Sequence, residues 1–390
     1  VGAELLEEAF ALLRDAENGP ATVLLEIVGS YDAAEVTLPA ELWARGGEVP
    51  PGAVLAVATE KGAIELPLDL FDVDGFAAEM GAEVSDLSIR VTIAAAPEEI
   101  AAGLARQAAA DGLQVKGQAM EFSVHIEAGG QEKQIDDFGS TYVTRKLFLN
   151  IAVDPNTHTV VRYDPATGSL AFVPALFAAS GDGTWVTAKR TGTSVYAVVG
   201  GTKTFGDIAG HWAEHAIAQL ASKRVVFGAA ADRFEPNRPV TRAELAALLV
   251  RALGLDEAQG GSAPFSDVAE EAWYAGAVEA AWKAKLASGY EDGTFRPDRP
   301  ITREELAVFI ARAMDFAAAS AGAGAPAGRL ERFDDGGSVS PWAREAVVRV
   351  VDAGILRGKR PAEIAPGDLA TRAEVAAMLK RFLQYAKLMN

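Results

Sequence analysis

One pattern of residues occurs three times in the second half of the chain, each time with the same internal spacing. Each copy contains Phe, any residue and Asp, then a Trp, a Gly, a Pro and the motif Thr-Arg-x-Glu. In every copy the Arg stands 30 residues after the Trp, 14 after the Gly and 6 after the Pro. Only the joints between copies differ in length. Fixed spacing within a copy, with variable joints, indicates one structural unit repeated three times.

Each copy predicts a helix, a loop and a second helix. In the first copy, Trp212, Ile217 and Leu220 fall on one face of a helix that runs from near the Trp to just before Gly228, where we expect a helix stop. The second helix is predicted to begin after Thr241. Residues 316–328 are rich in Ala and Gly and predict a flexible joint. The predicted units are 201–260, 261–328 including this joint, and 329–390.

The first half predicts a different architecture. Short runs rich in β-branched residues, several alternating apolar with polar, predict strands, and Asp164 to Gly168 predicts a hairpin turn. Helices are predicted near 97–111 and at the N-terminus. We therefore predict an α+β multidomain chain: a β-sandwich-like region over 1–200, as one or two subdomains, followed by all-α repeats. The predicted strands are 22–28, 54–59, 88–93, 121–126, 141–149, 159–163, 168–173, 184–189 and 194–199.

Charge is distributed unevenly along the chain. Residues 1–200 carry 29 acidic and 12 basic side chains, whereas residues 201–390 carry 25 and 24. An acidic first half disfavours nucleic acid and anionic lipid as partners. The chain has no Cys, which excludes disulfides and thiolate chemistry. No stretch has 18 uncharged apolar residues, so we expect no membrane insertion.

The first residues are acidic, with neither an initiator Met nor a basic segment. They therefore do not resemble a signal peptide, and we expect a processed protein or an excised fragment.

The Thr-Arg-x-Glu motif predicts a capping box at the start of each second helix. In such a box the Thr hydroxyl accepts a hydrogen bond from the backbone three residues on, and the Glu reaches back to the Thr N–H. The predicted pairs are Thr241 with Glu244, Thr302 with Glu305 and Thr371 with Glu374.

The capping box does not explain the Arg of the motif. Arg242, Arg303 and Arg372 fall in the first helical turn, where the helix dipole favours acidic residues. Free backbone N–H groups at a helix start bind anions, and a guanidinium beside them would hold a carboxylate or phosphate. The alternative is that each Arg pairs with a neighbouring Asp, such as the Asp of the Phe-x-Asp motif. Those residues are Asp207, Asp267 and Asp335.

The other repeated residues allow two interpretations each. A Trp at helical spacing more often belongs to the core, but a half-exposed Trp beside a cation would be a platform for a sugar ring. The Asp residues either cap the first helix or accept hydroxyl hydrogen bonds. The Gly residues either end helices or let a ligand approach the backbone. The residues concerned are Trp212, Trp273, Trp342, Asp207, Asp267, Asp335, Gly228, Gly289 and Gly358.

Together these motifs resemble the S-layer homology (SLH) repeat, over about residues 205–383. The resemblance implies a pseudo-threefold spindle with one helix per repeat in a central bundle. It also implies grooves between adjacent repeats that bind secondary cell-wall polysaccharide, through a pyruvylated amino sugar whose carboxylate faces Arg242, Arg303 or Arg372. The glycines at 228, 289 and 358 would line these grooves.

The three copies match the SLH pattern unequally. The second copy, with Asp292-Gly-Thr-Phe and Pro300 before its Thr, matches best, so Arg303 ranks first as a ligand contact. The third copy lacks that turn and the Pro two residues before its Thr, so its groove is expected to be altered.

We therefore predict a noncatalytic extracellular protein of the cell wall or S-layer that is anchored noncovalently and needs no metal or other cofactor. His211 and His215 have a metal-pair spacing, but the other copies lack both. The alternatives are a wall-anchored enzyme with its site in the β-rich half, and a cytosolic helical-repeat scaffold that binds protein.

Replacing Thr302 by Ala is expected to lower the free energy of unfolding by about 1 kcal/mol, because a helix cap is lost. Denaturant titration measures this change.

From its motif alone, Arg303→Ala is expected to weaken binding to cell-wall sacculi more than Thr302→Ala does. Equal losses in a sacculus pull-down would contradict that order, and unchanged binding by Arg303→Ala would contradict the role assigned to this Arg.

Overall fold

The computed structural model describes residues 3–14, 22–29, 31–258, 263–318 and 327–390, with the backbone alone for 3–7 and 327–329. The chain divides into two compact units: residues 1–154 with 159–200, and residues 155–158 with 201–390. Most of the joint predicted at 316–328 lies outside the described residues, at 319–326. The first two residues of the chain also lie outside them.

The first unit is built from two sheets. One has the strand order β1-β3-β4-β8-β12-β11, with β1 parallel to β3. The other has the order β10-β9-β13-β6-β5-β2, with β7 added beside β6. The strands are β1 Thr22–Glu26, β2 Ala33–Pro39, β3 Val54–Ala58, β4 Gly62–Pro67, β5 Ser88–Ala95, β6 Gln114–Ala128, β7 Gln131–Gln134, β8 Val143–Leu149, β9 His158–Asp164, β10 Ser169–Val173, β11 Ala175–Ser180, β12 Gly183–Arg190 and β13 Ser194–Gly200.

All nine predicted strands are present, and β2, β4, β7 and β11 are additional. The helices predicted near 97–111 and at the N-terminus are also confirmed. The helices of this unit are α1 Ala3–Arg14, α2 Glu41–Ala44, α3 Val73–Met80 and α4 Glu98–Ala110.

The two sheets share one hydrophobic core. Ile64 and Val186 reach it from the first sheet, and Ile89 and Phe122 reach it from the second. Along β5 every second residue is buried, as expected where one face of a strand packs inward. The β-rich region is therefore two sheets packed over a common core.

The second unit is helical within its described residues. Each repeat contributes two helices, and each second helix begins with the predicted capping box, in which both hydrogen bonds are present. The helices are α5 Glu214–Ser222, α6 Arg242–Ala252, α7 Ala275–Lys283, α8 Arg303–Phe316, α9 Arg344–Asp352 and α10 Arg372–Tyr385.

The glycines at 228, 289 and 358 are not helix stops, so that prediction is wrong. Helix α5 ends at Ser222, and Arg224 takes the left-handed conformation that closes it. Gly228 lies further along, where a Cβ would come within 2.5 Å of both the Phe205 ring and the Ala230 carbonyl oxygen. Glycine is therefore required there by close packing rather than by φ.

Three main-chain hydrogen bonds join the repeats in a closed ring. The Val240 N–H donates to the Ala370 carbonyl at 3.0 Å, the Ala370 N–H to that of Ile301 at 2.9 Å, and the Ile301 N–H to that of Val240 at 3.1 Å. The helices follow the same cyclic order: α6 packs on α7, α8 on α9 and α10 on α5. Each repeat is thus completed by another.

The Asp of each Phe-x-Asp motif holds the loop that precedes the second helix. Asp335 accepts hydrogen bonds from the N–H groups of Ile364, at 2.8 Å, and Ala365, at 2.6 Å. Ala365 has a φ of 51°, a conformation that costs energy for a residue with a side chain. Asp207 and Asp267 bind the equivalent N–H groups of their own repeats. These residues do not cap the first helix.

Replacing Asp335 by Ala is expected to lower the free energy of unfolding by about 2 kcal/mol or more, because two hydrogen bonds to a charged acceptor are lost. The neighbouring Asp334 is exposed, and Asp334→Ala is the matched control. Urea titration of both variants measures the difference. Equal stability of the two variants would contradict the assigned role of Asp335.

Candidate ligand-binding grooves

The Arg of each Thr-Arg-x-Glu motif reaches into another repeat. Arg242 Nη2 donates to the Ser288 carbonyl at 2.6 Å, and Arg303 Nη2 donates to that of Arg357 at 2.9 Å. Arg372 Nη2 donates to the Phe227 carbonyl at 2.8 Å. Each of these carbonyls belongs to the residue before one of the repeated glycines. The motif Arg and the motif Gly thus meet across the boundary between repeats.

The backbone N–H groups at the starts of the second helices are occupied. The Arg242 N–H donates to the Arg299 carbonyl, and the Ala243 N–H donates to that of Pro297. The next N–H, of Glu244, is bound by the Thr241 hydroxyl. The helices that begin at Arg303 and Arg372 are bound in the same way. The prediction that free N–H groups form an anion site is therefore wrong, because loop carbonyls from another repeat already satisfy them.

The first groove contains Arg242 and has a volume of about 680 Å³. Its guanidinium lies 4.9–5.0 Å from the ring centres of Tyr290, Phe295 and Phe309. Within the described residues, no carboxylate lies within 4.0 Å of Arg242. Burial lowers the pKa of this guanidinium. We call this cavity, which Trp342 also lines, the Arg242 groove.

The second groove contains Arg303 and has a volume of about 300 Å³. Here Arg303 Nη1 forms an ion pair with Glu374 at 2.7 Å, and its side chain is only 4% exposed. Its Nε and Nη2 donate to the carbonyls of Ile364 and Arg357. We call this cavity, which Trp212 also lines, the Arg303 groove. Arg303 was ranked first from the sequence, but it already has a carboxylate partner.

Arg372 occupies the equivalent position at the boundary between the third and first repeats. Its Nε donates to the Phe234 carbonyl at 2.7 Å, and its guanidinium lies 4.4 Å from the centre of the Phe234 ring. Burial lowers the pKa of Arg372. Among the described residues, neither Arg242 nor Arg372 forms an ion pair, and none of the three motif Arg pairs with Asp207, Asp267 or Asp335. The alternative of an internal Arg–Asp pair is therefore wrong.

The three tryptophans are surface residues. Trp212, Trp273 and Trp342 are 61–66% exposed, so their interpretation as core residues is wrong. Each precedes the first residue of its helix by two positions, and so lies outside the apolar face of that helix. Trp342 lines the Arg242 groove and Trp212 lines the Arg303 groove, which agrees with the alternative interpretation of a sugar platform.

The other predicted site residues divide between lining the grooves and supporting them. Gly289 lines the Arg242 groove and Gly358 lines the Arg303 groove. The carboxylates of Asp207, Asp267 and Asp335 instead hold loop N–H groups. Although burial opposes it, these hydrogen bonds lower the pKa of Asp207. These three Asp therefore support the loops in front of the grooves.

Sequence reasoning missed a second Arg in each repeat. Arg251, Arg312 and Arg381 stand nine residues after the motif Arg. Burial lowers the pKa of all three. Arg312 lines the Arg242 groove and Arg381 lines the Arg303 groove. The available signal was a positively charged residue that recurs at the same position of each second helix, among mostly apolar residues. Tyr290 was also missed, because it occurs in only one copy.

The fold and grooves define a three-repeat helical module with cationic clefts between its repeats. The family model of the S-layer homology domain matches residues 204–246, 264–307 and 332–376. The chain is therefore a protein with three tandem SLH domains that follow a β-rich region.

Proteins similar to this chain include several surface proteins and enzymes. An amylopullulanase of Thermoanaerobacterium thermosulfurigenes is 39% identical over 61% of this chain and 13% of its own length. A cellulosome-anchoring protein of Acetivibrio thermocellus is 29% identical over 39% of this chain and 33% of its own length. A surface-layer 125 kDa protein of Lysinibacillus sphaericus is 29% identical over 46% of this chain and 15% of its own length. The chain thus spans a third or less of each of these relatives.

The names of two of these relatives refer to a surface layer and to the anchoring of a cellulosome. Among the described residues, no helix combines the length and apolar character needed to cross a membrane.

Replacing Arg303 by Ala is expected to lower the free energy of unfolding by about 3 kcal/mol, because the buried carboxylate of Glu374 loses its partner. Arg242→Ala, which leaves no carboxylate unpaired, is expected to cost less. Urea titration measures both.

The double variant Arg303→Ala/Glu374→Gln serves as the control. It removes the charge of Glu374 and keeps an acceptor for the capping box, so it should recover part of the lost stability. A double variant less stable than Arg303→Ala would show that the ion pair is not the cause.

Proposed function

We propose that this chain attaches noncovalently to the bacterial cell wall by binding an acidic secondary cell-wall polymer in the grooves between its SLH repeats. The group that we propose it binds is a pyruvylated amino sugar. The β-rich half would then be a region displayed at the cell surface.

The proposal rests on the surroundings of the Arg242 guanidinium. Its guanidinium borders a cavity of about 680 Å³ and has no carboxylate within ion-pair distance in the described part of the chain. A carboxylate that enters this groove would form a charge-assisted hydrogen bond with it in a partly desolvated setting. Arg312 adds a second cation to the same wall.

The remaining lining of the Arg242 groove suits a sugar. Trp342 offers an exposed aromatic face, and an aromatic ring with a polar edge packs well against the apolar face of a sugar ring. The backbone at Ser288 and Gly289 carries no bulky side chain that would keep a ligand away. A ligand with a carboxylate on a sugar ring fits both parts of this groove.

We also propose that the three repeats form the pseudo-threefold arrangement that the family resemblance implies. The closed ring of hydrogen bonds through Val240, Ile301 and Ala370 supports this arrangement. The equivalent reach of Arg242, Arg303 and Arg372 into another repeat supports it as well.

We further propose that the chain is not an enzyme, is extracellular and does not bind nucleic acid. The acidic first half would repel the phosphates of a nucleic acid. The alternative is a wall-anchored enzyme with its site in the β-rich half; the match to the amylopullulanase extends into this half but covers only 13% of that enzyme. Steady-state assays of the full chain on α-glucans, xylan and cell-wall glycan distinguish the two, and turnover of any of them would favour the alternative.

Replacing Arg242 by Ala is expected to weaken binding to purified sacculi about 10-fold or more, because a charge-assisted hydrogen bond contributes about 1.5–3 kcal/mol. The measurement is depletion of the full chain from solution by increasing amounts of sacculi. Sacculi stripped of their secondary polymer by hydrofluoric acid should bind neither wild type nor variant.

The matched control is Arg106→Ala, which removes one exposed positive charge from helix α4 in the β-rich unit. It should bind as the wild type does. Equal binding by the Arg242 and Arg106 variants would contradict the role of the Arg242 groove, and unchanged binding to stripped sacculi would contradict the polymer as the ligand.

A further inference from the structure

The three repeats differ in the partner that each provides for its own capping Glu. In the first two repeats an Arg stands three residues before the capping Thr and binds this Glu. Arg238 Nη2 lies 2.6 Å from Glu244 Oε1, and Arg299 Nη1 lies 2.7 Å from Glu305 Oε1. In both cases the carboxylate is held within its own repeat.

The third repeat has Asp368 at this position. Asp368 cannot bind Glu374, because both are acidic, and it pairs instead with Lys359 at 2.7 Å. Glu374 remains in its capping box, where it accepts from the Thr371 N–H. Its second oxygen is directed to Arg303 of the second repeat, at 2.7 Å.

The same geometry explains why Arg242 has no carboxylate partner among the residues that the structure describes. Glu305 lines the Arg242 groove just as Glu374 lines the Arg303 groove. Arg299 binds Glu305 and also the hydroxyl of Tyr290. The capping Glu is thus bound by its own repeat in the Arg242 groove and by the motif Arg in the Arg303 groove.

We infer that Glu374 acts as a built-in carboxylate that closes the Arg303 groove to acidic glycan, and that Asp368 is the residue that causes this closure. This inference rests on the proposed function. A ligand carboxylate would have to displace an ion pair whose Arg side chain is 4% exposed and already makes two further hydrogen bonds to carbonyls. The Arg242 groove requires no such exchange.

The inference predicts that one substitution opens the closed groove. In Asp368→Arg, the new guanidinium takes the place that Arg238 and Arg299 have in the other repeats and binds Glu374. Arg303 is then released toward the cavity of about 300 Å³ that Trp212 and Arg381 also line. The main-chain carbonyl of residue 368, which accepts from the Arg303 N–H, is unaffected by the change.

The test uses the full chain and a synthetic pyruvylated N-acetylhexosamine glycoside, with binding followed by isothermal titration calorimetry. In the Arg242→Ala/Arg372→Ala background, only the Arg303 groove keeps its motif Arg. This background is expected to show no measurable binding. Adding Asp368→Arg to it is expected to restore binding to within about 10-fold of the wild-type affinity.

A second variant covers the case in which Asp368→Arg does not fold. Glu374→Gln removes the internal negative charge and keeps an acceptor for the Thr371 N–H, so in the same background it should also restore binding. The matched control is Glu363→Gln, which removes a half-buried carboxylate that pairs with Arg360 in the same repeat. It should restore nothing.

The outcomes separate this inference from the proposed function. Strong binding by the Arg242→Ala/Arg372→Ala chain would show that the Arg303 groove is already open and would overturn the inference alone. Restoration by neither Asp368→Arg nor Glu374→Gln, in chains that fold, would overturn it too. Absence of binding by the wild-type chain, to the glycoside and to sacculi, would overturn the proposed function and the inference with it.

Discussion

The helical unit depends on one exchange of main-chain hydrogen bonds. The first N–H groups of each second helix are bound by carbonyls from the loop of another repeat, as the Arg242 and Ala243 N–H groups are bound by Arg299 and Pro297. A helix start leaves these groups without partners inside the helix, and burying them unsatisfied would be costly. A single repeat therefore cannot satisfy its own backbone. Three repeats together can satisfy these groups, because the third repeat is hydrogen-bonded to the first and the ring is closed.

This exchange also explains where the grooves are. To reach the neighbouring loop, the motif Arg extends across the boundary and binds the carbonyl before a repeated Gly. The Gly is needed because a Cβ would strike the Phe of its own repeat or a loop carbonyl. The motif Arg therefore has a structural role, because its hydrogen bonds join two repeats. Whether its charge is also available to a ligand depends on the carboxylates that surround it, and these differ between grooves.

Particular residues show how far sequence reasoning reached. The capping boxes, the helices beside them and nine strands were predicted, because hydrogen-bonding motifs and alternation are local signals. Strand β4 was missed although it lies at the centre of its sheet, because Gly62 to Pro67 is short and ends in Pro. The tryptophans were misplaced because helical spacing was extended two residues beyond the true helix starts. The anion site at the helix starts was wrong because the partners of those N–H groups come from residues about 55–140 positions away.

The sequence by itself determined the number of repeats, the helix starts and the chemical types of the groove residues, since each is a pattern within one copy. Only the tertiary structure determined which motif Arg is paired with a carboxylate. Arg303 has the best-matching motif, yet Glu374, 71 residues further along the chain, neutralises it, while Arg242 faces an open cavity. The physical reason is that an ion pair forms between groups that the fold brings within a few ångströms, and its strength depends on distance and burial rather than on position in the chain.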